Sequence, residues 1–276
     1  MPARFVVARN PDTASTLPYL LHVPVAGRPL LLKARDAWPR TTKVYCHRLD
    51  AWPDQAEVVE EVTVRSCERR GRAVDLVLDR GREHRSQFVF VHLRGREAIF
   101  WQTARTAAAS RPGVRIPSRR ASGVRELEIV VDTRERYAYR FAAQQAEVRK
   151  APLRAGDYAV EVDGAVVAAV ERKSVADLVR RLVDGQLAFA MADLATLPHA
   201  AVVVDGRYQD ALTAEHVQPG FVADLLARVA VRYPAVPVVF AGSRKLAEEW
   251  TYRYLAAAYA EAAGDRRFGD GAEPDG

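Results

Sequence analysis

Two stretches of the chain, Ala200–Val204 and Val236–Phe240, are apolar from end to end, and a helix-like stretch near Val222–Tyr233 lies between them. A short strand without polar alternation needs cover on both faces, which is the position of a central strand with helices above and below it. The preceding residues extend that pattern. Leu127–Val131 reads as a short buried strand ending at Asp132, and Tyr158–Val162 and Val166–Glu171 flank a turn at Asp163-Gly164. Ser174-Val175-Ala176-Asp177 has the form of a helix capping box, and Leu178, Leu182, Leu187 and Met191 follow at helical spacing. A last helix is predicted from about Lys245 to Ala262. Strands alternating with helices predict an α/β domain, residues 126–262, with a mixed central sheet flanked by helices.

The first hundred residues read differently. Runs such as Phe5-Val6-Val7, Leu30-Leu31-Leu32, Val74–Leu78 and Phe88–Val91 recur at roughly ten-residue spacing, separated by turn signals such as Arg70-Gly71-Arg72. They predict a small β-rich domain, residues 1–103, either a barrel or a sandwich. Residues 104–125 are rich in Ala, Ser, Pro and Arg and have a linker composition. Their arginines (Arg105, Arg111, Arg115, Arg119, Arg120, Arg125) either trail along a phosphate backbone or are simply solvated. Residues 263–276 read as a disordered tail.

Charge divides along the same line. Residues 1–125 carry 23 Lys and Arg against 12 Asp and Glu, and residues 126–276 carry 18 against 23. A basic half joined to an acidic half suggests a grip on a polyanion beside a site that gathers cations. Signals for membrane insertion or export are not evident: no apolar run approaches the roughly 18 residues of a spanning helix, and the start of the chain lacks a signal-peptide core. A cytoplasmic location, at the nucleoid in a bacterium, is the expectation. Cys46 and Cys67 read as free thiols, and His22, His47, His84 and His92 lack zinc-ligand spacing.

Phosphodiester hydrolysis requires charge neutralisation at the phosphate and a water held in line. A hard divalent cation on a few carboxylates does both, and a neighbouring lysine can orient the water. The chain offers such groups at strand ends: Asp132 closes one strand, Asp157 opens the next, and Glu171-Arg172-Lys173 closes the third. Glu171 and Lys173, two apart on a strand, share a face. A regular two-residue hairpin at Asp163-Gly164 would pair Asp157 with Val170 and turn Glu171 away from it. An odd-length connection or a bulge is therefore predicted, such as a three-residue loop with Gly164 left-handed.

The ordered set Val131-Asp132-Thr133-Arg134-Glu135, Gly156-Asp157-Tyr158 and Val170-Glu171-Arg172-Lys173-Ser174 with Asp177 resembles the nuclease signature of the XPF/Mus (ERCC-type) family of structure-specific endonucleases. The resemblance covers about half the chain and implies a restriction-endonuclease-like fold. It implies Mg2+ or Mn2+ held by Asp157 and Glu171 with Asp132 close by, and Lys173 as the catalytic lysine. Arg134, Glu135, Arg172 and Asp177 fall on positions that support the site or contact DNA. Asp177 could equally complete the capping box. The resemblance also implies a homodimer through the C-terminal helices, for which Trp250, Tyr254, Leu255 and Tyr259 supply apolar surface. Those side chains could instead pack on their own sheet.

The chain departs from the family in having Gly185-Gln186 where a Gly-Arg is common, and in lacking both a helicase-like region and tandem helix-hairpin-helix motifs. Either the basic N-terminal domain substitutes for that grip or it is a protein-interaction module. Two functions follow. One is a metal-dependent endonuclease cutting branched or junction DNA in repair or recombination. The other is a DNA-binding scaffold that kept the fold without turnover.

Overall fold

The computed structural model of the chain describes residues 2–93, 96–109, 121–124, 126–215 and 217–269. They divide into two compact units, Met1–Ile116 and Pro117–Gly276. Four of the linker arginines, Arg111, Arg115, Arg119 and Arg120, lie outside the described residues, as do Arg125 and the last seven residues of the expected tail.

The first unit is a closed barrel of eight strands: β1 (Arg4–Arg9), β2 (Tyr19–Val23), β3 (Leu30–Ala34), β4 (Val44–Arg48), β5 (Val58–Arg70), β6 (Ala73–Leu78), β7 (Arg85–Leu93) and β8 (Arg96–Gln102). Their order around the barrel is β1-β2-β3-β4-β8-β7-β6-β5. Of the two β architectures open in the sequence, the barrel is the one formed, and closure leaves no unpaired strand edge. Alternate residues of β6 point inward, and Trp101 fills the centre against Phe88, Trp38 and Phe5. The indole N–H of Trp101 donates to Ser86 Oγ at 2.9 Å, so the largest buried ring leaves no donor unpaired. A short helix, α1 (Ala104–Ala109), follows β8 within the segment read as linker, with Thr106 buried.

The second unit is a six-stranded mixed sheet in the order β10-β9-β11-β12-β13-β14. The strands are β9 (Leu127–Asp132), β10 (Ala146–Ala151), β11 (Tyr158–Val162), β12 (Ala165–Lys173), β13 (His199–Val204) and β14 (Val238–Phe240). β10 runs parallel to β9, β11 is antiparallel to β9 and β12, and β12, β13 and β14 are parallel. One face is covered by the last helix, α6 (Arg244–Gly269), through Tyr252, Leu255 and Ala256. The other face is covered by α2 (Val175–Val183), α3 (Leu187–Leu194), α4 (Tyr208–Leu212) and α5 (Pro219–Arg232). This two-sided cover is why β13 is apolar along its whole length.

Two elements differ from expectation for local reasons. The helical run after Ser174 divides into α2 and α3 because the apolar spacing widens between Leu182 and Leu187, and Gly185 there takes a left-handed φ of 74°. α6 continues to Gly269, well into the segment read as tail. On α6, Leu255 is fully buried, while Trp250, Tyr254 and Tyr259 pack partly against their own sheet, with Trp250 and Tyr254 stacked at 4.9 Å.

The β11–β12 hairpin forms the predicted bulge, but not at its turn. The connection is two residues, Asp163 (φ 51°) and Gly164 (φ 75°), pairing Val162 with Ala165. The register then shifts: Glu161 pairs with Val166 and Val160 with Ala168, leaving Val167 as the extra residue. Val167 and Ala168 both face the α6 side, as two successive residues at a bulge do. Gly164→Ala is expected to cost about 1 kcal/mol from the left-handed backbone alone. Gly156→Ala should cost more, since φ is also positive there and a Cβ would stand 3.0 Å from Ala169 Cβ and 3.2 Å from Val170 O. Urea unfolding of the two variants compares them directly, and equal losses would show that the approach at Gly156 is not tight.

Candidate active site

Asp132, Asp157 and Glu171 stand on three adjacent strands at the same level of the sheet. Tyr158 pairs with Val131 on one side and with Val170 on the other. The next step of each ladder places Asp157 beside Asp132 and Glu171. The Asp157 main chain carries that step: its carbonyl accepts the Asp132 amide at 2.9 Å, and its amide donates to Val170 O at 2.9 Å. Cross-strand pairs share a face, so the three carboxylates lie on the α2–α3 side, and Lys173, two beyond Glu171, lies there too. The bulge at Val167 makes this parity possible.

Around each carboxylate the environment differs. Asp132 is almost fully buried, and both of its oxygens are in use. Oδ1 accepts from Arg134 N (2.7 Å) and Nε (2.9 Å), and Oδ2 accepts from Arg134 Nη2 (2.8 Å) and Leu153 N (2.8 Å). The Arg134 guanidinium, aided by those two amides, holds the Asp132 carboxyl down at about 2. Asp157 is the opposite case. Burial, and then the neighbouring Glu171 charge, push its carboxyl up to about 7, although Arg172 N donates to Oδ2 at 2.7 Å.

Lys173 is 6% exposed; its ammonium pairs with Glu171 Oε1, donates to Arg172 O at 3.3 Å and lies 3.8 Å from Asp177 Oδ2. Asp177 serves both roles left open by the sequence. Its amide donates to Ser174 Oγ at 3.2 Å, capping α2, while its carboxylate receives Arg180 and Arg181 beside Lys173. Burial alone would raise its pKa, but Arg180, Lys173 and Arg181 bring it below the ordinary carboxylate value.

The expected three-carboxylate metal set is not assembled. Among the described residues no group of three or more His, Cys, Asp and Glu is placed to hold a metal ion, since Asp132 gives its lone pairs to Arg134 and Leu153. Asp157 and Glu171 do suit a hard divalent cation: both are oxygen donors, and each raises the cost of ionising the other until positive charge comes between them.

Arg172 turns toward the α6 face, where Glu135 reaches it from the loop after β9. Arg172 Nε donates to Asp205 Oδ2 at 2.7 Å, its Nη1 lies 3.5 Å from Glu135, and its side chain is 17% exposed. Tyr139 OH donates to Asp205 Oδ1, and Arg244 Nη1 lies 3.5 Å from Oδ2. Arg172 and Glu135 thus brace the strand ends, and both also line the cleft that holds Asp157, Glu171 and Lys173. Asp205, Tyr139 and Arg244 are the partners that the sequence reading did not single out. Asp205 carried a usable signal, an aspartate directly after an all-apolar strand, as Asp132 is after Leu127–Val131.

Residues 131–254 match the family model of the ERCC4 domain. The match supports an XPF-type nuclease domain over these residues. Among solved structures it is similar to XPF from Aeropyrum pernix, with 18% identity, 51% of this chain and 69% of that chain covered, and a TM-score of 0.41. It is also similar to the same protein in complex with DNA, with 17% identity, 54% and 68% covered, and a TM-score of 0.36. At such scores neither likeness bears on the site. No curated protein matches the chain.

Within the matched region, Asp205 is the largely buried acceptor on which Arg172, Tyr139 and Arg244 converge. Asp205→Ala is expected to cost roughly 3 kcal/mol, the scale of an uncompensated buried charge. Asp177→Ala, whose ion pairs are half exposed, should cost less than about 1 kcal/mol. Chemical denaturation of both variants checks the order, and a reversed order would remove the bracing role.

Proposed function

We propose that the chain is a metal-dependent DNA endonuclease whose chemistry rests on Asp157, Glu171 and Lys173. The observation that carries this reading is their placement on one face at adjacent strand ends, with the Asp157 carboxyl held near 7 beside Glu171. A carboxylate pair of that kind is costly unless a cation shares it. Asp157 and Glu171 would hold Mg2+, with Mn2+ able to substitute, and the ion would neutralise the attacked phosphate and acidify a bound water.

Lys173, buried and tethered to Glu171, orients the water and steadies charge developing on the phosphate oxygens. Arg134 holds Asp132 now. On a substrate its exposed guanidinium can transfer to a phosphate, a bidentate acceptor it fits equally well, which would free Asp132 to face the ion. Substrates would be branched or junction DNA, met in repair or recombination in the cytoplasm. The basic barrel would supply a second grip on the polyanion, and α6, through Trp250 and Tyr254, the contact for a second copy.

A second reading has an observation of its own. Arg134 on Asp132 and Lys173 on Glu171 satisfy two of the three carboxylates without any metal, as a non-cutting DNA scaffold would require. Cleavage of end-labelled forks, flaps, duplex and single strand with Mg2+ or Mn2+ separates the two. Lys173→Ala and Asp157→Asn are each expected to lower cutting by roughly 100-fold or more while DNA binding persists. Cutting that survives either change removes the assignment of the site, and no cutting by the parent with any metal favours the scaffold.

Metal binding has a readout apart from activity. The folded pKa of Asp157, about 7, lies above its ordinary 3.8, so the native state binds the extra proton and loses stability as pH rises between those values. Asp157→Asn should therefore raise the unfolding temperature of the metal-free protein above pH 7 by about 2–4 °C, the shift given by about 1 kcal/mol in a domain of this size. The gain should vanish near pH 4, and added Mg2+ should stabilise the parent but not the variant.

A further inference from the structure

Tyr137 is the most exposed tyrosine beside the site, at 75%, yet its backbone is fixed on both sides. Its amide donates to Glu135 Oε1 at 2.7 Å, and its carbonyl accepts from Arg244. Arg244 and Glu135 both belong to the Asp205–Arg172 network, so the ring stands in solvent on a rigid mount. It lines two clefts at once. One, about 490 Å³, contains Asp157, Glu171 and Lys173. The other, about 1100 Å³, has none of these three in its lining but shares Tyr137, Arg136 and Arg172 with the first.

That second cleft is basic. Arg136, Arg140, Lys150 and Lys245 line it, all exposed, and among the described residues none of the four has a carboxylate within 4.0 Å. Arg172 and Arg244 also line it but are engaged by Asp205. Its one acidic residue, Glu248, accepts the Phe141 amide. Four uncompensated cations beside a mounted aromatic ring, on a domain whose overall balance is acidic, need a polyanion with a flat face to stack. A duplex offers phosphates but keeps its bases stacked on one another, whereas a single strand offers both features together.

We propose that the cleft lined by Arg136, Arg140, Lys150 and Lys245 carries a single-stranded arm of nucleic acid, and that Tyr137 stacks on a base where this arm meets the catalytic cleft. This rests on the nuclease reading and names the groove and the ring that would hold the unpaired arm of a junction. Tyr137 positions the strand and takes no part in the chemistry.

The test measures binding of the full-length chain, metal-free, to a fluorescent oligothymidylate and to a blunt duplex of equal length. Tyr137→Ala should weaken the single strand by roughly tenfold, the loss of one stacked base, and leave the duplex unchanged, with Tyr137→Phe restoring the parent affinity. Arg140→Gln and Lys245→Gln should each flatten the salt dependence of single-strand binding by roughly one released counterion. Equal loss on both ligands, no loss on either, absence of single-strand binding by the parent, or competition by polyglutamate as strong as by oligothymidylate would overturn the proposal. Cutting of forks by the parent is scored separately. Cutting without the binding difference removes the groove alone, and the binding difference without cutting removes the nuclease reading alone.

Discussion

The second unit depends on where the Asp157 main chain is pinned. Its carbonyl accepts the Asp132 amide and its amide donates to Val170 O, so one residue ties β9 to β12 just before β11 begins. Those two hydrogen bonds bring three acids to one level. Gly156, whose missing Cβ lets the chain lie against Ala169 and Val170, is what allows the approach. Moving β11 by one register step would send Asp157 to the opposite face, away from Asp132 and Glu171 and toward α6 and the aromatic core of Tyr139, Phe141 and Tyr158.

The two faces of the sheet then divide the charged groups between them. On the α6 face Arg172 is anchored by Asp205 and Glu135, with the Tyr139 ring stacked on Tyr158 at 4.8 Å beneath. On the α2–α3 face the groups are Asp157, Glu171 and Lys173, only partly compensated and opening into a cleft. The braced side has its charges paired, and the less compensated side opens into the cleft. A satisfied network behind an unsatisfied one is how a fold holds like charges together without local collapse.

Much of this was visible in the residues. The buried strands were legible because unbroken apolar runs have few other places to go, and the candidate site because charged residues at the ends of such runs are costly unless used. β10 was not legible: its residues are mostly exposed, it pairs only with β9 at the sheet edge, and Ala146–Ala151 has no alternation to announce it. The division of α2 from α3 was legible only as a five-residue gap between Leu182 and Leu187. The occupation of Asp132 by Arg134 was not legible either. Two residues separated by one in sequence reveal nothing of where a long side chain folds back. The need for a bulge followed from counting residues, but its position at Val167 depended on which side chain the α6 face could accept.

The bulge also acts as a one-residue store of slack between the turn and the acids. A deletion within Ala165–Val167 of β12 can be absorbed by flattening it: the hairpin becomes regular, and Asp157 still faces Glu171. An insertion there has no such outlet, because it adds a second unpaired residue to a strand packed on both faces. On β11 the arithmetic reverses: one residue gained at Glu161–Val162 evens the two arms, and one lost there widens their mismatch.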